Sequence, residues 1–479
     1  MGIHNFHTWL RATYPKAILP PNGNNIYEYI YIDVNFLMHI CIYGCKTEDD
    51  FIRKLCDNFD RLFLNFIATK KIFFAIDGVS PFAKIFLQRK RRQKTLDNVN
   101  INKICSLYLT PGTETMARIE THLNDYIKKL QKKYSFLNPE LIISSSNNKN
   151  EGEIKICSDI LKTYGITKNI DERFLIIGGD ADLIVLSVAI KPIINITVLV
   201  KTSTLRSKTE LISIKKLLEY HCEYLNIPKE KINIVRDDFV ILSIMMGNDY
   251  LPKIRYIKFE TLWASYKKIY ASNKQTLIKN NTYNNNQFKK FMLQIYNNLP
   301  NNFKKINMNK YNNKTNVSYL EGILWCWSMY KTGSPSKYDY YHNDSKTLHP
   351  YEILYCICTN KKLEIPKSSV KSIPVHIFPL LLLPQKAAAI IPEKYRKLMT
   401  THLNYLYEEE NCTVCKSLKT NLSTLSKERY KTDNEKKIKE INKNYGKELA
   451  RMKDHRKNHT RTFNINDINK IIELTKDLI

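Results

Sequence analysis

The chain has 479 residues and carries 75 Lys and Arg against 46 Asp and Glu, a net charge of +29. A hydrophobic content of 43% excludes a disordered chain and is enough to bury one or more cores. So basic a composition predicts a polyanionic partner, and nucleic acid is the first candidate. Eleven cysteines without a framework of spacings are typical of a reducing compartment, and we expect a cytoplasmic protein.

Membrane attachment and a structural metal are not favoured by the sequence. The apolar run 378–384 is too short to span a bilayer, and the N-terminus has no signal-like apolar stretch. We therefore expect no contact with a membrane. Cys412 and Cys415 form one CxxC pair without a second pair at zinc-ribbon spacing, which is weak support for a metal site.

Residues 1–265 alternate between strand-like and helix-like patterns. Helical periodicity lies between the strand-like runs, for example over 50–67, 115–133 and 153–162. This alternation predicts an α/β fold with a mostly parallel central sheet and helices on both faces. The apolar runs that predict its strands are 26–33, 71–77, 141–143, 174–178 and 194–200.

The rest of the chain divides into three parts. Residues 266–316 are rich in Asn and Lys and predict a poorly packed insertion or linker, with some helix around Phe288–Tyr296. Residues 317–403 predict a second, mainly helical region that packs on the core. Residues 404–479 form a basic tail, with an exposed helix predicted from Ser426 to Arg461. Its charged face fits either plain solvation or a contact with nucleic acid.

Acidic residues recur where the predicted strands and helices begin or end. Carboxylates beside buried strands are costly unless a cation compensates them, and oxygen-only ligation suits Mg²⁺ or Mn²⁺. Two such ions can drive phosphodiester hydrolysis, although any one of these residues alone could be a helix cap or a turn residue. The candidate ligands are Asp33, Asp77, Glu151, Glu153, Asp180, Asp182 and Asp249.

A basic helix face is predicted shortly after Asp77. Lys84, Gln88, Arg91 and Arg92 recur at spacings of three and four residues, so they can share one face of a helix. Three cations and an amide on one face can clamp a phosphate group. A solvated basic helix would give the same pattern.

Several stretches, in their order and spacing, resemble the Xrn family of 5′→3′ exoribonucleases. The resemblance is strong over residues 1–255 and weaker over 317–400. The stretches that carry it include Tyr31–Asn35 with His39, Ala75–Lys84, Glu151–Ile156, Asp180–Ile184, Asp249–Pro252 and Leu383–Pro392.

The resemblance implies a processive exoribonuclease that degrades single-stranded RNA from a 5′-monophosphate with two Mg²⁺ ions, or with Mn²⁺. It implies that the seven acids are the metal ligands, that the basic helix face binds the 5′-phosphate, and that His39 stacks on a base. The family's tryptophan-containing loop corresponds to 335–341, where Tyr338 or Tyr340 would substitute. It further suggests a monomer and a decapping enzyme as a partner.

Two alternatives remain at this point. A flap-endonuclease-like DNA nuclease would carry a glycine-rich helix-turn-helix after Asp249–Tyr250, but 251–258 contain no glycine. A non-catalytic RNA-binding protein of the same fold would be expected to lack some of the seven acids. The large C-terminal domains of the cytoplasmic family members are expected to be absent, a reduction typical of a large DNA virus or a compact parasite genome.

Overall fold

The predicted strands form the centre of a seven-stranded sheet with the order β1-β7-β6-β5-β2-β3-β4. Strands β2 to β6 run parallel, whereas β7 pairs antiparallel with both β6 and β1. The strands are β1 (Ile18–Leu19), β2 (Ile26–Asp33), β3 (Ile67–Ala75), β4 (Glu140–Ser144), β5 (Phe174–Gly178), β6 (Ile196–Lys201) and β7 (Thr209–Ser213).

The computed structural model describes the chain except for residues 1, 2, 4, 21–24, 97, 98, 102, 135, 180, 202–208, 343–346, 361, 408–411, 433, 457–464, 477 and 479.

Helices cover both faces of the sheet and confirm the predicted α/β class. On one face, α3 presents Phe51, Leu55, Phe59 and Phe63 at intervals of four residues, and these side chains pack against β2 and β3. On the other face, α6, α7 and α9 bury their apolar residues in a second core. The helices of this part are α1 (Phe6–Thr13), α2 (Val34–Cys41), α3 (Glu48–Asn65), α4 (Phe82–Leu96), α5 (Glu114–Lys133), α6 (Gly152–Thr167), α7 (Ala181–Ala189), α8 (Ile214–Leu225), α9 (Ile232–Met245) and α10 (Phe259–Asn273).

The C-terminal half is mainly helical. A short hairpin of β8 (Ile278–Lys279) and β9 (Thr282–Tyr283) precedes these helices. The helices are α11 (Asn285–Asn297), α12 (Asn301–Lys304), α13 (Asn313–Thr332), α14 (Pro350–Thr359), α15 (Phe378–Leu382), α16 (Glu393–Thr400), α17 (Thr413–Tyr430), α18 (Glu435–Arg456) and α19 (Ile465–Lys476). None of the helices in the described parts of the chain is long and apolar enough to cross a membrane.

The Asn- and Lys-rich stretch 266–316 is well packed, which corrects the prediction of a poorly packed segment. Phe288, Phe291, Met292 and Ile295 recur at helical spacing on α11 and are fully buried in the core on the α6 side of the sheet. Asparagine also has a structural use here, since the side chain of Asn284 caps the first turn of α11.

The basic tail is a helical hairpin where the sequence predicted one exposed helix. Helices α17 and α18, the first ending at Tyr430 and the second beginning at Glu435, pack against each other. The following α19 packs elsewhere: Ile468 and Ile471 join a third core that includes Ile85 of α4 and the apolar run around Leu381. This third core fixes the basic helix α4 against the C-terminal region.

Candidate functional site

Two aspartates predicted as ligands lie together at the carboxyl end of the parallel sheet. Asp33 ends β2, and its Oδ1 accepts a hydrogen bond of 3.2 Å from the backbone N–H of Phe36. Asp77 follows β3, and the backbone N–H of Asp77 donates a 2.8 Å hydrogen bond to Asn35 Oδ1. Both aspartates are therefore held by the turns that leave the neighbouring strands.

The start of α6 lies directly against this pair. The backbone N–H of Gly152 donates a 2.7 Å hydrogen bond to Asp77 Oδ1. A methyl group added at Gly152 would lie only 3.3 Å from Asp77 Oδ1 and 3.4 Å from Asp33 Oδ1. Glycine thus allows the helix N-terminus to approach both carboxylates, and the helix dipole favours negative charge at that position.

Lys84 connects the basic helix α4 to three further carboxylates. Its Nζ lies 2.6 Å from Glu151 Oε1, 3.1 Å from Asp249 Oδ2 and 3.6 Å from Glu153 Oε1. The Lys84 side chain is only 9% exposed. A buried ammonium is tolerated here because the surrounding carboxylates compensate its charge.

Two more residues of the predicted phosphate clamp face the same carboxylates. The guanidinium of Arg91 binds Asp249 through two hydrogen bonds, Nη2 to Oδ1 at 2.8 Å and Nη1 to Oδ2 at 3.3 Å. Gln88 Nε2 donates to Glu151 Oε1 at 3.4 Å, while its amide oxygen accepts from Ser80 Oγ at 3.2 Å. Residues 84, 88 and 91 therefore share one helix face, as their spacing predicts.

The pKa values of this group follow from its burial and its mixed charges. Burial disfavours the charged form of Lys84, but Glu151 and Asp249 outweigh it, so its pKa is raised well above the usual value. Burial raises the pKa of Asp249, yet Lys84 and Arg91 overcome this and lower it to about 2. Glu151 has a raised pKa because burial exceeds the attraction of Lys84.

Asp182 approaches the group from the first turn of α7. The residue is only 3% exposed. Burial raises the pKa of Tyr330 well above its usual value, and the charges of Asp182 and Glu153 add to the effect, so both acids lie near this one phenol. Asp180, the remaining predicted ligand, lies outside the described residues. We call the six described acids Asp33, Asp77, Glu151, Glu153, Asp182 and Asp249 the acidic cluster.

The donor set of the acidic cluster fits a hard divalent cation. All six donors are carboxylates, the ligands that Mg²⁺ and Mn²⁺ prefer. Because the start of α6 comes close to both aspartates at Gly152, the Oδ1 atoms of Asp33 and Asp77 face the same small space. Acid groups from β2, the end of β3, α6, α7 and the segment after α9 thus converge on one end of the sheet.

Two cationic side chains, Lys155 and Arg92, lie near Asp77. Lys155 Nζ donates to the carbonyl oxygens of Ile76 at 2.6 Å and Ser145 at 2.7 Å, and thereby ties together the ends of β3 and β4. Burial lowers the pKa of Lys155 to about 8, and the charge of Asp77 opposes that shift. Burial likewise lowers the pKa of Arg92 to about 10, again opposed by Asp77. Arg92 thus lies near Asp77, while Arg91 binds Asp249.

The predicted base-stacking residues have different surroundings. His39 is exposed near the end of α2. Tyr338 is half-buried; its hydroxyl donates to Asn150 Oδ1 at 2.9 Å, and the Lys149 ammonium lies 5.5 Å from its ring centre. Tyr340 is stacked on Trp325 inside the core and is only 5% exposed. The burial of Tyr340 argues against contact with a base and leaves Tyr338 as the candidate.

A cavity of about 310 Å³ adjoins Tyr338 and Ser80, the residue that holds Gln88. Phe82 and the segment 370–374 form its sides, and helix α19 closes it with Ile468 and Ile472. The basic face of α4 is thus next to a cavity bounded by the C-terminal region.

Sequence reasoning assigned no role to several residues that shape the site. Tyr250 Oη donates to Glu151 Oε2 at 2.9 Å, and Asn35 and Lys155 hold Asp77 and its strand end. Each lies within one or two residues of a predicted ligand, so proximity to the acids was the available signal. Their side-chain directions depend on the packing of distant elements, which the sequence pattern does not contain.

Comparison with known proteins confirms the predicted resemblance over the N-terminal part of the chain. Residues 1–201 match the family model described as the XRN 5'-3' exonuclease N-terminus. The 5'-3' exoribonuclease 2 of Arabidopsis thaliana is 27% identical over 395 residues, covering 61% of this chain and 39% of that protein. The 5'-3' exoribonuclease 1 of Saccharomyces cerevisiae is 31% identical over 298 residues, covering 53% of this chain and 19% of that protein.

The chain therefore spans less than half the length of these two relatives. Among solved structures, the catalytic core of Rad2 in complex with DNA substrate has a TM-score of 0.35 and 13% identity, covering 74% of this chain and 94% of that one. The family match includes the predicted site residues up to Asp182, whereas Asp249, Tyr338 and Tyr340 lie beyond it.

Proposed function

We propose that this chain is a processive 5′→3′ exoribonuclease that hydrolyses 5′-monophosphorylated single-stranded RNA to 5′-mononucleotides with two divalent cations. One observation carries this proposal: the basic face of α4 makes direct contacts with the acidic cluster through Lys84 and Arg91. The names of the relatives support the same reaction class. A cleavage centre beside a phosphate clamp would act one nucleotide from an RNA end.

The acidic cluster, together with Asp180, would hold the cations, with Mg²⁺ as the expected ion and Mn²⁺ as a substitute. Such ions supply Lewis acidity at the phosphate and lower the pKa of a bound water. The chain's own residues would fix the carboxylates. Tyr250 orients Glu151, and the Gly152 N–H and Lys155 hold Asp77 and the strand end before it.

The basic face of α4 would bind the terminal 5′-phosphate. Lys84 offers a compact charge, Arg91 a planar fork, and Gln88 an amide held by Ser80. Arg92 lies on the same helix and completes the predicted set. A capped or triphosphorylated end carries more bulk and charge than this set of donors matches, so we expect such RNAs to be poor substrates.

Hydrolysis in this arrangement would regenerate the group that the clamp recognises. Water attacks the phosphorus that joins the first and second nucleotides, and the bond from phosphorus to the 3′-oxygen of the first nucleotide breaks. The first nucleotide leaves with its 5′-phosphate and a 3′-hydroxyl. The second nucleotide retains the attacked phosphate as a new 5′-monophosphate, so each product end is the next substrate, which favours processive degradation.

His39 and Tyr338 would grip the first bases by stacking, without reading their sequence. Replacing Tyr338 by alanine is expected to weaken binding of a short single-stranded RNA by at least about fivefold. Unchanged affinity would remove Tyr338 from this role.

Cap removal produces 5′-monophosphate ends, so a decapping enzyme is the expected partner, and the cytoplasm is the expected compartment. We expect a monomer that performs this reaction. Sedimentation of the purified chain as a stable dimer, or a tagged chain confined to the nucleus, would contradict these two expectations.

Substrate preference provides the main test. The purified chain is incubated with Mg²⁺ or Mn²⁺ and with matched single-stranded RNAs that carry a 5′-monophosphate, 5′-triphosphate, cap or 5′-hydroxyl, alongside a DNA flap. We expect rapid release of mononucleotides from the monophosphate RNA only. Equal digestion of all RNAs, or a preference for the flap, would refute the proposal.

Arg91→Ala and Lys90→Ala form a matched pair for the phosphate clamp. Lys90 is the exposed neighbour on the same helix, so both variants remove one positive charge. We expect Arg91→Ala to reduce the preference for 5′-monophosphate over 5′-hydroxyl RNA by roughly tenfold or more, because a charge-assisted contact is lost. An equal effect of the two variants would reduce the role of Arg91 to general electrostatic attraction.

A further inference from the structure

Two thiols and an imidazole converge at the open end of the α17–α18 hairpin, far along the chain from the acidic cluster. Cys412 is the N-cap residue of α17, Cys415 lies in its first turn, and His455 lies in the last turn of α18. The three ligand atoms all lie within 4.8 Å of one another. Cys412 Sγ and His455 Nε2 are 3.2 Å apart.

The local backbone favours a thiolate at this position. The N–H of Cys415 donates to Cys412 Sγ at 3.5 Å, at a helix N-terminus where negative charge is stabilised. The thiolate is the form of cysteine that binds metals.

The hairpin itself has a thin apolar interface. In the described parts of its two helices, the buried side chains are Cys415 and Leu418 on α17 and Ile441 and Met452 on α18. Most of the remaining residues are exposed and many carry charge. Small units with so little apolar burial usually require a cross-link or a metal to remain ordered.

We propose that Cys412, Cys415 and His455 bind a structural Zn²⁺ ion that joins the start of α17 to the end of α18. Sulfur and imidazole nitrogen are the ligands of structural zinc sites, and tetrahedral bonds of normal length would place the donor atoms about 3.6–3.8 Å apart. One pair, Cys412 Sγ and His455 Nε2, is 3.2 Å apart and no pair exceeds 4.8 Å, so small side-chain rotations would bring the three donors to these distances. The ion closes the end of the hairpin opposite its turn, where the helices would otherwise separate.

The sequence contains a related spacing. His459 follows His455 by four residues, an interval that occurs in structural zinc sites with two histidines. His459 lies outside the described residues, and the proposal rests on the three described ligands.

Metal content of the full-length chain tests the proposal directly. The untagged protein is purified with a reductant and without chelator, and bound metals are measured by plasma mass spectrometry. We expect about one zinc per chain, and a loss of at least about 80% of it in Cys412→Ser/Cys415→Ser and in His455→Ala, since each variant removes required ligands. Cys358→Ser, at an exposed cysteine on α14, is the matched control and should retain the ion.

Two further readouts keep the test independent of folding. Co²⁺ replacement should give the visible absorption of a tetrahedral thiolate site in wild type but not in the double variant. Limited proteolysis should cleave the 412–456 hairpin faster after chelation while the helical content of the core, measured by circular dichroism, is unchanged. Zinc content equal in wild type and double variant, or a disulfide between Cys412 and Cys415 in the reduced preparation, would overturn the proposal.

Discussion

Helix α6 connects two groups of charged side chains that differ in their balance of acids and cations. Its N-terminus, at Gly152, meets the acidic cluster, and its C-terminal half meets a second group that we call the amino-end network: Lys70, Lys71, Asp159 and Glu172. Both groups lie against the same parallel strands, and both include lysines in contact with carboxylates. Only the acidic cluster, at the carboxyl end of the parallel strands, contacts the basic face of α4.

Each carboxylate of the amino-end network has its own cation and hydroxyl donors. Lys71 Nζ lies 2.5 Å from Asp159 Oδ2, which also accepts from Tyr31 at 3.0 Å. Glu172 accepts from Lys70 at 2.7 Å, and also from Tyr29 and Thr167. Two negative charges are thus matched by two positive charges, and the network is complete without a ligand.

At the carboxyl end, acids outnumber cations among the described contacts. Lys84 and Arg91 contact acids of the cluster directly, and Lys155 and Arg92 lie near Asp77. Lys84 alone contacts three different acids. Buried negative charge in excess requires further cations, whereas a balanced network requires none. The contrast separates a ligand site from a structural ion-pair network.

Asp77→Asn and Asp159→Asn give the largest expected difference between the two ends. Both variants remove one carboxylate charge next to the sheet and keep the side-chain shape. We expect Asp77→Asn to reduce exonuclease turnover by at least about 10²-fold, because a ligand of the reacting centre is lost. Asp159→Asn should retain turnover within about twofold per folded molecule, because the described partners of Asp159 are Lys71 and Tyr31 and not residues of the acidic cluster. Single-turnover degradation of 5′-monophosphate RNA measures both, and similar losses in the two variants would contradict the distinction.

The two ends also differ in how far the sequence revealed them. Asp33 and Asp77 follow apolar runs, and parallel strands bring their carboxyl ends together, so the sheet and much of the acidic cluster could be predicted. The spacing of Lys84, Gln88 and Arg91 similarly predicted their common helix face. Such signals are local, and each needs only a few neighbouring residues.

The contacts that were missed join residues far apart in sequence. Lys71 and Asp159 are 88 positions apart, and Cys412 and His455 are 43 positions apart. Strand register and helix pairing bring these residues together, and neither leaves a pattern in the flanking residues. The packing of α11 was missed for a different reason. Phe288 and Phe291 do show helical spacing, but the surrounding Asn- and Lys-rich composition predicted a poorly packed segment.

Lys84→Met and Lys71→Met compare the response of each group to a missing ammonium. Each leaves a largely buried carboxylate without its lysine, and each should lower the free energy of unfolding by about 3–5 kcal/mol in the absence of divalent cations. In Lys84→Met the acidic cluster gains still more negative charge. We therefore expect Mg²⁺ at about ten times its dissociation constant to restore about 1.4 kcal/mol there, through binding to the folded state alone.

Urea unfolding with and without Mg²⁺ measures this response. Lys71→Met should show no more Mg²⁺ stabilisation than wild type, because the amino-end network has no excess carboxylates. A sulfate-matched Na⁺ control corrects for ionic strength. Equal Mg²⁺ effects in the two lysine variants would show that removing Lys84 does not increase cation binding at the carboxyl end.

Glu172→Gln gives the smallest expected effect and tests whether the amino-end network is saturated. Burial alone would raise the pKa of Glu172, but hydrogen bonds from Lys70, Thr167 and Tyr29 lower it below 4.5. A carboxyl group whose pKa is lowered by folding stabilises the protein above the unfolded value and loses that contribution as pH falls through the folded value. The free energy of unfolding of wild type should therefore exceed that of Glu172→Gln by about 2 kcal/mol at pH 7, and this difference should disappear as the pH falls below about 4.5.

The control is Glu140→Gln, at an exposed position on β4, which should show little difference from wild type at either pH. If the unfolding curves of wild type and Glu172→Gln remain equally separated from pH 7 to pH 3.5, the charge of Glu172 contributes nothing to the free energy of unfolding. The matched charges of the amino-end network would then not stabilise the fold.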